Sequence, residues 1–428
     1  MERHILVVQA ALQLRDELAG LLGDEHATSW AELDAVLAQA LQRAIEEPGP
    51  ATLKSLLAAA RSHPLTAARM AELLGGQWRN AAPAATAATS PGPGVADSAP
   101  AGFEKVEVLY ATNRAAGNGK RPEEAYGALL AADNRLALGR CIVTLPSKRA
   151  RGELPSRGLL DLLRGEDPAR HVIVTSVETL QEPGFAAALT DTPCTQALVF
   201  LHGYNVSFGD AMRRTAQLKF DLGYKAVGPV IGFSWPSRAS FLNYGADVIA
   251  ASRTAPVLAE FLLRLQSWAP GLRNQVVAHS VGNLVLALAM RELELSGRAA
   301  RARVQQLILA APDIDRGVFE DLAGALRSSA ERVTLYASAN DRALWLSKLL
   351  QGGPRAGDAS GGVVVVDGVD TVDASRTDSS LLAMNHSSFA GRLSLLSDIR
   401  ESLLHGTPVG QRPGMWAAPS GRHWLLQP

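Results

Sequence analysis

Apolar residues recur along the chain at two different spacings, and the change between them marks three regions. Over residues 1–80 the spacing is helical: Ile5, Leu12, Leu14, Leu18 and Leu21 fall at mixed helical intervals. Ser29 followed by Glu32 reads as a capping box that opens a second helix through Ile45, and Glu46-Glu47-Pro48-Gly49-Pro50 stops it. A third helix is predicted from about Thr52 to Arg61, and a fourth from about Thr66 to Leu74, closed by Gly75-Gly76. Leu33, Leu37, Leu41 and Ala44 give one apolar face, so a small bundle is expected, with nothing catalytic in it. In residues 81–101, nine of 21 positions are Ala and four are Pro, with one charge. Such a stretch buries no core and reads as a linker.

Residues 102–428 alternate short β-rich runs with helical patterns. The runs are Val106–Ala111, Cys141–Leu145, Val172–Thr175, Ala197–Leu201, Val230–Phe233, Gln275–Ala278, Gln306–Ala310, Val333–Ala337 and Val363–Val366. Helical stretches over Asp210–Leu222, Tyr244–Ser267, Asn283–Leu295 and Gly317–Ser328 lie between several of them. Strands joined by crossover helices predict a doubly wound, mostly parallel α/β sheet.

Composition narrows the partners. Lys+Arg and Asp+Glu are 42 each, so a globally basic nucleic-acid surface or polybasic membrane patch is excluded. Two cysteines cannot build a disulfide framework or a four-thiolate zinc site, and Cys141 and Cys194 are expected as small apolar residues. There is no run of eighteen apolar residues and no secretory cleavage pattern after Ile5–Leu14, so a cytoplasmic protein without a membrane span is expected. No His/carboxylate cluster has ligand spacing and no Gly-rich phosphate loop is present, so neither metal nor cofactor is expected.

Candidate chemistry sits at the strand ends. The run Gln275-Val-Val-Ala278 leads straight into His279-Ser280-Val281-Gly282, and a helix follows. That is a nucleophile elbow with Ala278 in place of the first glycine. Small residues two before and two after the serine are needed because strand and helix close tightly around the turn. The helix N-terminus behind the serine favours developing negative charge. Upstream, Ala197–Leu201 leads into His202-Gly203-Tyr204-Asn205. A tetrahedral oxyanion needs amide donors, for which Val281 and either Tyr204 or Asn205 are placed. His202 either lines the pocket with Gly203 and Trp235 or braces the loop.

A serine nucleophile also needs a histidine and an orienting carboxylate. Of nine histidines, His386, His405 and His423 follow Ser280; His386, after a loop and before a helical stretch, is the expected base. The acid is contested. Asp341 follows the second strand after the nucleophile strand, Asp313 and Asp315 the first. Strand position favours Asp341 and keeps Asp313 as the alternative acid, the loser serving as a helix cap or a brace for the nucleophile turn.

At these residues the chain resembles the α/β-hydrolase family catalogued as domain of unknown function 900, described as esterase- or lipase-like. The resemblance spans about residues 104–405. It is carried in order by Val108–Arg114, Leu201–Phe208, Phe233–Ser237, Tyr244 and Asp247 ahead of Ala251-Ser252-Arg253, Ala278–Asn283, Leu309–Asp315, Leu335–Arg342 and His386–Phe389. It implies an α/β-hydrolase fold and a Ser/Asp/His triad, and no substrate. Trp235-Pro236 then reads as pocket wall, Arg114 as a structural clamp, and Asp247 with Arg253 as a partly buried ion-pair network. The expected activity is hydrolysis of a small-molecule carboxylic ester through an acyl-enzyme. The rivals are amide or thioester chemistry on the same triad, and a non-catalytic scaffold. Residues 1–80, outside the resemblance, are expected either to form a separate module for a protein partner or to dock on the hydrolase and shield its face.

Overall fold

A computed structural model of the chain describes residues 102–149, 167–191, 194–204, 206–237, 244–302, 304–341, 344, 347, 353–377 and 389–427. The helical region expected over 1–80, the linker over 81–101, Asn205 and His386 lie outside them. The described residues belong to one unit, Ala99–Pro428.

The strands are β1 (Phe103–Thr112), β2 (Arg114–Ala116), β3 (Tyr126–Leu130), β4 (Ala137–Pro146), β5 (Ile173–Leu180), β6 (Gln196–Leu201) and β7 (Val230–Ser234). They continue with β8 (Arg273–His279), β9 (Val304–Ala310), β10 (Ala330–Ala337), β11 (Asp370–Asp373), β12 (Met415–Ala417) and β13 (Trp424–Leu426). The helices are α1 (Glu182–Thr190), α2 (Phe208–Asp221), α3 (Tyr244–Trp268), α4 (Gly282–Leu295), the short α5 (Ala299–Ala302), α6 (Arg316–Ser329) and α7 (Phe389–His405). Eleven strands form one sheet in the order β12-β13-β11-β10-β9-β8-β6-β7-β1-β4-β5, and β2 pairs with β3 apart from it. Every neighbouring pair from β1 across to β13 is parallel, while β4, β5 and β12 close the edges with antiparallel pairings.

Alternation along the central strands explains helices on both faces. In β6, Ala197, Val199 and Leu201 join the core under α3, α4 and α6, with Phe261, Met290 and Phe319. Leu198 and Phe200 point the other way, into a second core with Leu218 and Leu222 near α2 and Leu395 and Ile399 of α7. A strand apolar on both faces is what a parallel sheet covered on both sides requires.

One expected strand is not there. Val363–Val366 is irregular, and the place beside β10 goes to Asp370–Asp373. Gly362 and Gly368 flank the run with φ of +93° and +78°, and the Val369 amide turns back onto the Val366 carbonyl at 3.1 Å. The run buries Val364 without pairing, and the Thr371 hydroxyl donates to its carbonyl at 2.8 Å.

Two features of this winding place the site. β6 to β10 are parallel, so the residues that follow them (His202, Trp235, Ser280, Asp313 and Asp341) come out on one edge of the sheet. From β6 the sheet extends through β7 to β1, and from β8 through β9 to β10. The order therefore reverses between β6 and β8, the topological switch point at whose carboxyl edge α/β sheets form their crevice.

Candidate active site

Ser280 stands at the end of β8 in left-handed backbone, with φ +51°. A serine rarely holds that conformation, which costs of order 1–3 kcal/mol and persists only where its surroundings over-determine it. Here they do. The Ser280 amide donates to the Ala310 carbonyl at 3.1 Å. The Ser280 carbonyl accepts from the Asn283 side chain at 3.0 Å and from the Asp313 amide at 3.3 Å. Asn283 Nδ2 also reaches the Ala310 carbonyl at 3.2 Å, tying the turn to the end of β9. Val281 occupies the N-cap position of α4, the helix that starts at Gly282.

The small residues are there for close approach. A Cβ on Gly282 would meet the His202 carbonyl oxygen at 2.4 Å, and one on Gly203 would meet the Ser280 Cβ at 3.0 Å. The segment after β6 is therefore packed directly against the serine turn. Tyr204 is half-buried in this segment.

His202 and Trp235 are sealed, with 2% and 0% exposure. Their rings stack at 5.3 Å and 8°, and the Trp235 indole donates to the His202 carbonyl at 2.7 Å. Of the two roles open to His202, pocket wall or brace, its burial and contacts fit the brace, and Trp235, expected as pocket wall, is buried against it. His202 Nδ1 lies 2.7 Å from the Gly203 carbonyl, which can only accept, so Nδ1 carries the hydrogen and Nε2 accepts from Arg114 at 3.3 Å. Burial, then the nearby Arg114 charge, lowers the His202 pKa to about 3. His279, beside the serine, is also lowered to about 3, by burial and then by Arg214. Both rings are neutral near pH 7.

Arg114, the first residue of β2, is the clamp the sequence suggested. Its guanidinium is buried and donates to Ser234 Oγ at 2.9 Å, the Gly127 carbonyl at 3.1 Å, the Ser237 carbonyl at 3.2 Å and the Val206 carbonyl at 2.8 Å, besides His202. Burial lowers its pKa to about 9 while Asp247 and Asp210 pull the other way, so it stays charged at neutral pH. Asp247 is buried and accepts from the Ser237 hydroxyl at 2.7 Å. Arg253 is exposed, so the expected Asp247–Arg253 network gives way to one centred on Arg114.

The three aspartates separate by environment. Asp315 caps α6, accepting from the Gly317 and Val318 amides at 2.9 and 3.2 Å. Asp313 is 2% exposed; its Oδ1 accepts from the Ser347 hydroxyl at 2.6 Å and lies 3.3 Å from Arg355 Nε. Its backbone N–H donates to the Ser280 carbonyl, so it also braces the serine turn. Asp341 is half-buried beyond β10, and its Oδ1 accepts from the Leu344 amide at 3.0 Å. The fold thus brings Ser280, Val281, Gly203 and Asp313 together, and sets Asp341 on the same sheet edge two strands away from Ser280. Arg355 and Ser347 were not foreseen; Arg355 lies in a Gly/Pro-rich stretch whose pattern carries no sign that it folds back onto residues 312–316.

Among the described residues there is no cluster of three or more His, Cys, Asp or Glu that could hold a metal, and no helix long and apolar enough to cross a membrane.

An uncharacterized protein of Nostoc sp. (strain PCC 7120 / SAG 25.82 / UTEX 2576), alr1448, is 23% identical over 150 residues, which span 30% of this chain and 39% of that protein. Among solved structures, Aspergillus fumigatus lipase B is 13% identical with a TM-score of 0.32, over 50% of this chain and 53% of its own. Fungal esterases from Rhizomucor miehei are 11% identical at 0.32, over 71% of this chain and 84% of theirs. The chain thus spans about two fifths of the curated relative and about half of lipase B, and at this distance none of the three bears on its chemistry. The family model for alpha/beta hydrolases of unknown function (DUF900) matches residues 178–403, more than half of the 428. That span holds the strained serine turn and the loop packed on it, and the chain belongs to this alpha/beta hydrolase family.

Proposed function

We propose that the chain is a serine hydrolase that cleaves a small carboxylic ester through an acyl-enzyme. The observation that carries this reading is the left-handed Ser280 at the turn between β8 and α4, at the switch point of the sheet. Such a turn lifts the hydroxyl clear of the strand and sets it before a helix N-terminus. In this mechanism His386 takes the Ser280 proton as the oxygen attacks the ester carbonyl. Asp341 holds the imidazole and stabilises it once charged. The oxyanion is held by the amides of Val281 and of Tyr204 or Asn205. His386 then protonates the leaving alcohol, and a water activated by the same histidine releases the acid.

Two observations support Asp341 over Asp313 as the acid: it follows the strand two places from β8, and the Asp313 carboxylate already faces Ser347 and Arg355. Hydrolysis of p-nitrophenyl acetate by the wild type and by Ser280→Ala tests the reading. Turnover should fall by several orders of magnitude in the variant with the melting temperature unchanged; equal turnover rules Ser280 out. In the same reading residues 1–80 are a separate helical module for a protein partner, tethered by residues 81–101, and the protein works in the cytoplasm.

A further inference from the structure

We infer that Arg114 and His202 are positioning residues for the oxyanion hole, an inference that rests on Ser280 being the nucleophile. A guanidinium has five N–H donors in a fixed fork. Arg114 has five acceptors around it: Ser234 Oγ on Nε, the Gly127 and Ser237 carbonyls on Nη1, and His202 Nε2 and the Val206 carbonyl on Nη2. These acceptors come from the β2–β3 hairpin, the segment after β6 and the end of β7 with the segment beyond it. Two of the five lie on the segment after β6, on either side of Tyr204. That segment is pinned to the serine turn at Gly282, where no Cβ fits against the His202 carbonyl, and at Gly203, where a Cβ would be in tight contact with Ser280. The Arg114 fork fixes its other side.

His202 carries the position inward. Its Nε2 accepts from Arg114, its Nδ1–H donates to the Gly203 carbonyl, and its own carbonyl takes the Trp235 indole hydrogen. Both peptide groups next to Gly203 are therefore oriented before substrate arrives. The Gly203–Tyr204 peptide, whose N–H is one of the proposed oxyanion donors, is the one whose carbonyl His202 holds. Preorganised donors are effective because they do not reorganise as charge develops. Lysine could not replace Arg114, since an ammonium cannot span acceptors on three segments.

The test uses the full chain with three substitutions. His202→Phe keeps the stack on Trp235 and removes both ring hydrogen bonds. His202→Gln keeps an oxygen that can accept from Arg114. Ser234→Ala removes one acceptor of the same fork and guards against misfolding of the phenylalanine variant. Two readouts are compared: amide hydrogen exchange over residues 202–206, and kcat and KM for p-nitrophenyl acetate. In His202→Phe the loop amides should exchange at least about tenfold faster, with the melt retained. kcat should fall roughly 10–100-fold with KM within about threefold, as for a weakened oxyanion donor. His202→Gln should recover most of both, and Ser234→Ala should show a smaller loss of the same kind. Unchanged exchange would overturn the clamp. Faster exchange with unchanged kcat would overturn its link to the oxyanion, and a glutamine variant as slow as phenylalanine would reduce the effect to packing. If the wild type proves inactive, the ester reading fails, and the exchange arm still decides whether the clamp exists.

Discussion

Ser280 and Ala311 hold left-handed backbone at the ends of adjacent strands, with φ of +51° and +44°. The first was legible in the sequence, because the small residues its turn requires flank it at Ala278 and Gly282. The second was not, because nothing in Ala310-Ala311-Pro312 separates strain from ordinary packing. Likewise, the choice between Asp341 and Asp313 followed from strand counting, whereas the Ser347 and Arg355 contacts of Asp313 depend on segments distant in sequence. The two roles predict different losses. Asp341→Asn should lower kcat about 10⁴-fold at an unchanged melting temperature, the effect of losing a triad acid. Asp313→Asn should lower the melting temperature more than it lowers kcat; the opposite pattern would exchange the two assignments. A second prediction concerns pH. His202 and His279 fall from the ordinary 6.5 to about 3 in the fold. The unfolded chain therefore takes up their protons first as pH falls, so the stability of keeping both neutral is full above 6.5 and is lost toward pH 3. The melting temperature should decline from pH 6.5 to 5, before carboxylates dominate, and the decline should be shallower in His202→Gln. An equal slope in the two proteins would count against it.

Elements were readable where apolar runs were short, β-branched and bounded, which covers the central strands and α2, α3, α4 and α6. Failures have local causes. Pro183 and Gly184 in the first turn of α1 hide a helix, and the three-residue strands β12 and β13 are too short for a pattern. Those terminal strands extend the sheet beyond β11, and a buried cluster anchors the segment ahead of them. Arg412 lies 3.5 Å from Asp398 of α7 and donates to the Thr407 carbonyl at 2.9 Å and to Thr334 of β10 at 3.3 Å. The Tyr336 hydroxyl also bonds Asp398. Burial raises the Asp398 pKa, so its carboxylate depends on this cation. Removing one partner of a buried pair costs about 3–5 kcal/mol. Arg412→Met should therefore unfold at a clearly lower urea midpoint, and Arg412→Met with Asp398→Asn should regain part of the loss. A single variant as stable as wild type would show that the cluster is not an anchor.

At the scale of the whole molecule, the winding of the sheet was inferable from strands alternating with helices, and it places the serine turn and the loop after β6 side by side. The lateral network around Arg114 was only hinted at, because its acceptors are mostly carbonyls, which no side-chain pattern reveals. The proposed division at residues 81–101 predicts that deleting residues 1–95 leaves p-nitrophenyl acetate turnover within about a few-fold of the full chain, since the compact unit that holds the described residues begins at Ala99. A deleted protein that fails to fold would show that the N-terminal region is part of the hydrolase unit. The central claim is that Ser280 is an activated nucleophile, and a fluorophosphonate probe followed by peptide mass spectrometry addresses it directly. The account predicts one modified peptide, with the phosphonyl group on Ser280, and loss of labelling in both Ser280→Ala and His386→Ala. Labelling of Ser280→Ala at the wild-type rate, or a modification on another residue, would contradict it.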